Sequence, residues 1–279
     1  MGVAVCPGRT DLGTTKSRDP AVPRFPSPDW HRRKTRVSSD MPSTFLTARW
    51  ERLVMANYEV APALLKSRLP RGTELDLWEG RCYVSLVGFM FLDTRIKGLA
   101  LPWHRNFEEV NLRFYVRHQT PQGDWKRGVV FISELVPKPA ISLVANVVYG
   151  EPYRTLPMRH TWEEAPDSLR VAYEWRLRGR WDRFAVIADP APEPLVEGSE
   201  GEFITQHFWG YTRRSDKRTD EYEVEHPPWR LHRVRQHEIS VQGDLLYGAP
   251  YGDLLKAPPA SILLAEGSPI AVHQGRRLP

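Results

Sequence analysis

Residues 109–117 alternate polar and apolar side chains, and the polar positions are of types that can do chemistry. Glu109, Asn111, Arg113 and Tyr115 would share one face of a strand, because successive strand side chains point to opposite sides. An arginine can hold a carboxylate through two hydrogen bonds, which Asn111 and Tyr115 could supplement. Glu109 could give or take a proton there. This face is therefore a candidate wall of a ligand cavity; the alternative is the solvated outer face of an antiparallel sheet.

Lys138 is a second candidate, as a nucleophile. A lysine amine can form a Schiff base with a carbonyl compound when a neighbouring cation or a dry pocket lowers its pKa. Here Lys138 stands between Pro137 and Pro139 with no second cation beside it. The sequence favours a solvated loop lysine over a displaced Schiff-base amine.

Further candidates lie in the C-terminal half of the chain. The spacing of His207, Glu225 and His226 fits no ligand pattern for a metal, and adjacent residues on a strand point to opposite faces. We therefore predict no metal site. Tyr211 belongs to an aromatic segment beside a glycine, which could form part of a ligand wall or simply core and turn. His207, Tyr211 and Glu225 are kept as predicted ligand-binding residues.

The sequence contains no motif for a bound cofactor. It has no glycine-rich phosphate loop, no serine nucleophile elbow and no zinc motif, so we predict no cofactor. Of its two cysteines, Cys6 lies in a segment expected to be disordered and Cys82 in an apolar run, which disfavours a structural disulfide.

The positive charge is concentrated near the N-terminus. The chain carries a formal net charge of +5, but residues 1–40 hold eight Lys/Arg and four Asp, leaving 31 basic and 30 acidic residues in the rest. The remainder is nearly neutral, which disfavours nucleic acid as a partner. The alternative is a basic hairpin with interleaved tryptophans that could bind single strands. Its residues are Arg176, Arg178, Arg180, Arg183, Trp175 and Trp181.

The chain divides into an extension and one domain. Residues 1–40 are rich in proline and lack apolar periodicity, so we expect a disordered basic extension, with Met41 as a possible true start or the extension as a transit-like peptide. Residues 41–279 show many short strands, with short helices predicted at residues 62–69 and 139–149. No apolar run is long enough to cross a bilayer and no signal peptide is evident, so we expect a cytoplasmic protein without a membrane partner.

An ordered set of segments resembles the YqjF-like family of uncharacterised bacterial proteins, catalogued as domain of unknown function 2071. One of them reads Tyr83-Val84-Ser85-Leu86-Val87-Gly88-Phe89. No single segment is specific, but the ordered set is, and it covers nearly all of residues 41–279. The other segments are residues 57–58, 69–70 with Asp76, 107–116, 149–153, 208–212, 224–229 and 264–268.

That family is in turn similar to acetoacetate decarboxylase, which implies a mainly β (α+β) fold: a cone-shaped β-barrel with a few short helices and a cavity inside. In the decarboxylase a lysine beside a second lysine forms the Schiff base. Where that enzyme has Pro-Lys-Lys, this chain has Pro139-Ala140-Ile141. The positions matching the enzyme's carboxylates fall near Ser85 and Leu99, which cannot transfer protons. The resemblance therefore implies the fold without the decarboxylase activity.

Three functions stay open at this point. The first is binding of a small acidic or apolar organic molecule in a barrel cavity. The second is a lyase or hydratase acting on a keto or carboxylic acid through Lys138, or through Arg113 with Glu109. The third is a non-catalytic interaction protein whose barrel is filled by side chains. The sequence decides neither whether the protein is an enzyme nor its oligomeric state.

Overall fold

The computed structural model describes residues 43–100, 103–148 and 150–278. Residues Asp40–Pro279 form one compact unit. The predicted extension at residues 1–40 lies outside the described residues, and its disorder stays a prediction.

The described residues are mostly strand, as predicted. The strands are β1 Thr44–Val60, β2 Glu74–Leu75, β3 Cys82–Ile96, β4 Leu99–Ala100, β5 Phe107–Gln119, β6 Trp125–Val136, β7 Tyr153–Thr155, β8 Met158–Ala165, β9 Ser168–Leu177, β10 Arg180–Glu193, β11 Trp209–Ser215, β12 Arg218–Glu225, β13 Leu231–Ser240, β14 Ser261–His273 and β15 Arg276–Arg277. The α-helices are α1 Pro139–Val148, α2 Glu200–Thr205, α3 Gly243–Tyr247 and α4 Ala249–Leu254.

Of the two predicted helices, one was correct and one was partly wrong. Helix α1 matches the prediction at residues 139–149 closely. The helix predicted at residues 62–69 is instead two short 3-10 turns, Pro62–Leu64 and Lys66–Arg68. Helices α2, α3 and α4 were not predicted. None of the described helices is long and apolar enough to span a bilayer.

The sheet closes on itself into a ring. Its strands follow the order β12-β11-β6-β5-β3-β1-β14, and β14 then pairs with β12, with Val224 opposite Val272 and Glu225 opposite Ala271. All neighbours in the ring are antiparallel except β6 and β11. Strands β13, β10, β9 and β8 continue outward from β14. This closed ring confirms the predicted fold class.

Both faces of the ring are buried. On β5, the apolar residues Val110, Leu112 and Phe114 pack in a core cluster that includes Tyr173 and Trp175 of β9. The opposite face of the ring contributes a second apolar cluster, into which α2 inserts Phe203 and Ile204. Because β5 is covered on both sides, the alternative that its polar face is the solvated exterior is wrong.

A bulge in β1 interrupts its pairing with β3. The register of β1 against β3 shifts between Glu51 and Val54, and Arg52 takes a positive φ of 54°. Gly267 lies opposite Glu51 with φ of +90°, and a Cβ there would overlap the Trp50 carbonyl oxygen. Only glycine fits such a close approach, and the bulge increases the curvature that ring closure requires.

Candidate functional site

A cavity of about 130 Å³ lies inside the ring. This is close to the roughly 150 Å³ of an engineered apolar cavity that holds a benzene molecule. Its lining includes four partly exposed apolar residues: Phe45, Leu46, Ile96 and Val272. Aromatic side chains make up a large part of the lining, among them Trp50, Phe89, Phe91, Phe107, Phe131, Trp209 and Trp229.

Three glutamates come together on the polar side of this cavity. Glu109 on β5, Glu134 on β6 and Glu151 before β7 all line it, and each is at most 5% exposed. Strand register brings them together: Asn111 of β5 pairs with Glu134, which pairs on its other side with Tyr153 of β7. Parallel pairing of β6 and β7 thus carries the residues after α1 into the site.

Hydrogen bonds fix two of the three carboxyl groups. The Tyr153 hydroxyl donates to Glu109 Oε2 over 3.0 Å, and Asn111 Nδ2 donates to Glu109 Oε1 over 3.0 Å. Oε2 of Glu134 is buried and has no hydrogen-bond partner among the described residues. Glu151 is held separately, since Thr212 Oγ1 donates to its Oε1 over 2.6 Å.

Burial raises the pKa of all three carboxyls. It raises the pKa of Glu109 to about 7, although the hydrogen bonds from Asn111 and Tyr153 oppose the rise. It raises the pKa of Glu151 to about 7, opposed by the hydrogen bond from Thr212. The pKa of Glu134 is raised further above its ordinary value, by burial and then by the neighbouring charges of Glu151 and Glu109. Each of the three carboxyls therefore holds a proton to higher pH than an exposed glutamate does.

Arg113 supplies the positive charge beside this cluster. Its guanidinium lines the cavity and is half-buried. Its Nε has no hydrogen-bond partner among the described residues, and Nη2 reaches only Met55 Sδ, at 3.9 Å. A buried cationic donor left without a partner is unfavourable, so Arg113 is available for an anion.

Two neutral histidines complete the wall. Burial lowers the pKa of His207 to about 4, with the charge of Arg127 as a further cause, and burial lowers the pKa of His226 to about 4. His207 Nε2 lies 3.1 Å from Asp76 Oδ2, while its Nδ1 has no partner in the described part of the chain. His226 stacks on Trp229 with 4.1 Å between ring centroids. Both imidazoles are therefore uncharged at neutral pH.

Comparison with known proteins identifies the family. Residues 47–269 match the family described as an uncharacterized conserved protein, domain of unknown function 2071. The chain belongs to this family. It is 27% identical over 195 residues to the uncharacterized protein YqjF of Bacillus subtilis, covering 69% of this chain and 76% of that protein. The resemblance predicted from the sequence is thereby confirmed.

Solved structures share the fold of this family member. Acetoacetate decarboxylase from Legionella pneumophila matches with a TM-score of 0.57 at 11% identity, covering 89% of this chain and 94% of the enzyme. An acetoacetate decarboxylase-like enzyme from Sphingomonas wittichii matches with a TM-score of 0.58 at 12% identity, covering 85% of this chain and 94% of that enzyme. The enduracididine biosynthesis enzyme MppR, complexed with pyruvate, matches with a TM-score of 0.58 at 14% identity, covering 87% of this chain and 93% of that enzyme. At these identities the likeness shows the fold alone.

The structure brings some of the predicted site residues to the cavity. Glu109, Asn111, Arg113 and His207 line it. Tyr115 is buried next to it, where its ring lies 4.7 Å from that of His207. Its hydroxyl lies 2.7 Å from Ser85 Oγ.

Other predicted residues lie elsewhere. Tyr211 packs in the core cluster that contains Tyr173 and Trp175, and its hydroxyl donates to the Lys126 carbonyl oxygen over 3.2 Å. Glu225 is half-exposed and lies 3.1 Å from His273. Lys138 does not line the cavity, and its charge acts on Glu108, which precedes Glu109 and faces the other side of β5.

Sequence reasoning missed Glu134, Glu151 and Tyr153. Residues 149–153 entered the sequence analysis only as one segment of the family resemblance. That resemblance was the available signal. Among the described residues, no group of three or more His, Cys, Asp or Glu side chains is arranged to hold a metal ion.

Proposed function

We propose that this protein binds a small organic acid in the cavity, with the ligand carboxylate on Arg113 and its apolar body against the aromatic wall. The observation that carries the proposal is the incompletely bonded guanidinium of Arg113 on the wall of an otherwise largely aromatic cavity. Arginine is the side chain best suited to hold a carboxylate through paired hydrogen bonds.

Cavity size limits the ligand to a molecule about as large as benzene. Small 2-keto acids and short-chain or aromatic carboxylic acids meet that limit. Support for keto acids comes from a protein of the same fold, MppR, whose structure was solved with pyruvate.

The competing functions are less well supported. A barrel filled with side chains would leave no cavity of this volume. A Schiff-base lyase acting through Lys138 would need that lysine to reach the cavity, whereas its charge acts on Glu108. Acid–base chemistry through Glu109 is compatible with binding at Arg113.

Isothermal titration calorimetry with paired ligands tests the proposal. Pyruvate, 2-oxobutanoate and benzoate would each be compared with the matching uncharged amide at pH 7. We expect the acids to bind at least tenfold more tightly than the amides, and R113Q to remove that preference, because a hydrogen bond to a charged group contributes about 1.5–3 kcal/mol.

R117Q is the matched control. Arg117 lies on the same strand as Arg113 but pairs with Glu74 near the surface, 2.6 Å away. We expect R117Q to bind acids as the natural protein does. Equal affinity for acids and amides, or full acid binding by R113Q, would contradict the proposal.

A further inference from the structure

We propose that the cavity takes a small α-amino acid, whose carboxylate binds Arg113 and whose ammonium group donates hydrogen bonds to Asn111 and Glu134. This inference rests on the proposed binding of a small acid at Arg113, and it names the class of that acid. The class is decided by the group next to the carboxylate, which must be a hydrogen-bond donor and positively charged.

Two buried hydrogen-bond acceptors on the cavity wall lack donors. Asn111 Oδ1 and Glu134 Oε2 have no hydrogen-bond partner within the part of the chain that the structure describes, and each residue is only 1% exposed. They lie side by side, because Asn111 of β5 pairs directly with Glu134 of β6, and the Cβ atoms of such antiparallel pairs are about 5 Å apart. The Asn111 amide nitrogen already donates to Glu109 Oε1. A ligand at this point therefore has to supply N–H or O–H donors.

A third unpaired acceptor is Nδ1 of His207. Arg127 Nε donates to Asp76 Oδ2 over 2.6 Å, and His207 and Arg127 together lower the pKa of Asp76 although burial opposes them. The ionised Asp76 can only accept, so the neutral His207 ring carries its proton on Nε2 and leaves Nδ1 with a lone pair. No described residue donates to this Nδ1. His207 is a neighbour of Arg113, since the Tyr115 ring lies 4.7 Å from the imidazole and 5.7 Å from the guanidinium.

The charges on the wall favour an ammonium group over a hydroxyl group. Among the described residues that line the cavity there are three glutamates, one arginine and no lysine. Burial raises the pKa of Glu134 well above its ordinary value, and the charges of Glu151 and Glu109 raise it further. A cation beside these carboxyls would stabilise their ionised forms. An α-amino acid supplies that cation, and its carboxylate supplies the anion for Arg113.

The donor count and the aromatic wall agree with the same class of ligand. A hydroxyl group has one hydrogen to donate, whereas an ammonium group has three. The faces of aromatic rings also attract cations, which adds to the preference for a charged amine. Alanine has as many non-hydrogen atoms as benzene, so it fits a cavity of about 130 Å³.

Calorimetry with L-alanine, L-lactate and pyruvate at pH 7 tests this inference. The three ligands share the carboxylate and the number of non-hydrogen atoms, and they differ in carrying an ammonium, a hydroxyl or a carbonyl group beside it. We expect alanine to bind at least about tenfold more tightly than pyruvate, with lactate between them, because hydrogen bonds between charged groups are the stronger ones.

Variants of Glu134 separate the ammonium contact from the carboxylate contact. E134M removes the acceptor at similar side-chain volume, and we expect it to weaken alanine binding at least about tenfold but pyruvate binding less than about threefold. Retained pyruvate binding shows that the variant is folded. E134Q keeps an acceptor without the charge, so its loss of alanine affinity should be smaller than that of E134M.

E108Q is the matched control for E134Q. Glu108 neighbours Glu109 on β5, but its carboxyl lies 2.6 Å from His160 and it does not line the cavity. We expect its affinity for alanine to be unchanged.

The outcomes distinguish this inference from the proposed function. Alanine binding no tighter than that of pyruvate, or undiminished in E134M, would overturn the amino-acid ligand and leave the proposed function intact. Lactate binding as tightly as alanine would show that an uncharged donor suffices, which overturns the ammonium contact. Absence of binding by alanine, lactate, pyruvate and benzoate alike would overturn the proposed function and this inference with it.

Discussion

The three buried glutamates differ in which of their carboxyl oxygens are hydrogen-bonded and to what. Glu151 is tied by Thr212, so it braces β11 against the segment before β7. Within the described part of the chain, Glu134 keeps one buried oxygen unpaired, and the hydrogen-bond donors to Glu109 both line the cavity. Buried carboxyls with raised pKa values oppose folding at neutral pH, and such groups concentrate at functional sites. Glu109 and Glu134 therefore fit a site, whereas Glu151 fits a structural contact.

The pKa of Glu109 predicts how stability changes with pH. The folded pKa of about 7 lies above the ordinary value of 4.5, so the folded state holds its proton more tightly than the unfolded state. The associated stability is fully present below about pH 4.5 and is lost as pH rises to about 7. We expect E109Q to reduce this loss, by an amount on the order of 3 kcal/mol.

Urea unfolding at pH 5 and pH 8 measures the effect. The difference between the two pH values is compared within each variant, which removes any pH-independent cost of the glutamine. E163Q serves as the control, because Glu163 is exposed on β8 and pairs with Arg170. A pH difference in E109Q equal to that of the natural protein would contradict the raised pKa.

The sequence predicts which side chains share one face of a strand, but it does not predict which strands pair or in what register. Alternation on β5 placed Glu109, Asn111 and Arg113 on one face, and they share the cavity. On β11 and β12 the sequence did not indicate which set of alternating side chains faces the cavity. Thr212 and Val224 face inward, so their neighbours Tyr211 and Glu225 face away. Glu134 and Tyr153 meet through parallel pairing across a helix, which local pattern cannot reveal.

Helix α2 was not predicted, although its sequence carries a helix-start signal. Ser199 and Glu202 form the spacing of a capping box, and Glu202 N–H donates to Ser199 Oγ over 3.2 Å. Glu202 Oε2 in turn accepts from the Gly198 N–H over 2.7 Å. The run of acidic residues and prolines before it favoured a loop. This short helix fills one end of the ring with Phe203 and Ile204 and thereby bounds the cavity.

Curvature of β1 and β14 depends on Gly267. We expect G267A to destabilise the fold by at least about 3 kcal/mol, because a methyl group there overlaps the Trp50 carbonyl oxygen and the backbone is strained as well. G80A separates the two causes, since Gly80 has φ of +78° with nothing within 4 Å of the added atom. Its cost should be only about 1 kcal/mol. Urea unfolding measures both, and equal losses would show that the close approach to Trp50 is unimportant.

At the scale of the whole molecule, the charges of the ordered unit largely neutralise one another. In the basic hairpin of β9 and β10, Arg183 pairs with Glu174 and Glu238. Arg180 donates to Ser240. These contacts leave less free positive charge than the sequence of the hairpin suggests. That nucleic acid is not a partner of this domain stays a prediction.

A chain beginning at Met41 tests the predicted division of the molecule. The compact unit begins at Asp40 and the family match at residue 47. Residues 1–40 lack the apolar pattern needed to bury surface, so their removal should cost little stability. We expect the melting temperature by calorimetry to change by less than about 2 °C, which corresponds to about 1 kcal/mol or less for a domain of this size. Acid binding should be unchanged, because the residues that line the cavity all follow Met41. A fall of more than about 5 °C, or loss of binding, would show instead that the N-terminal segment is part of the folded domain.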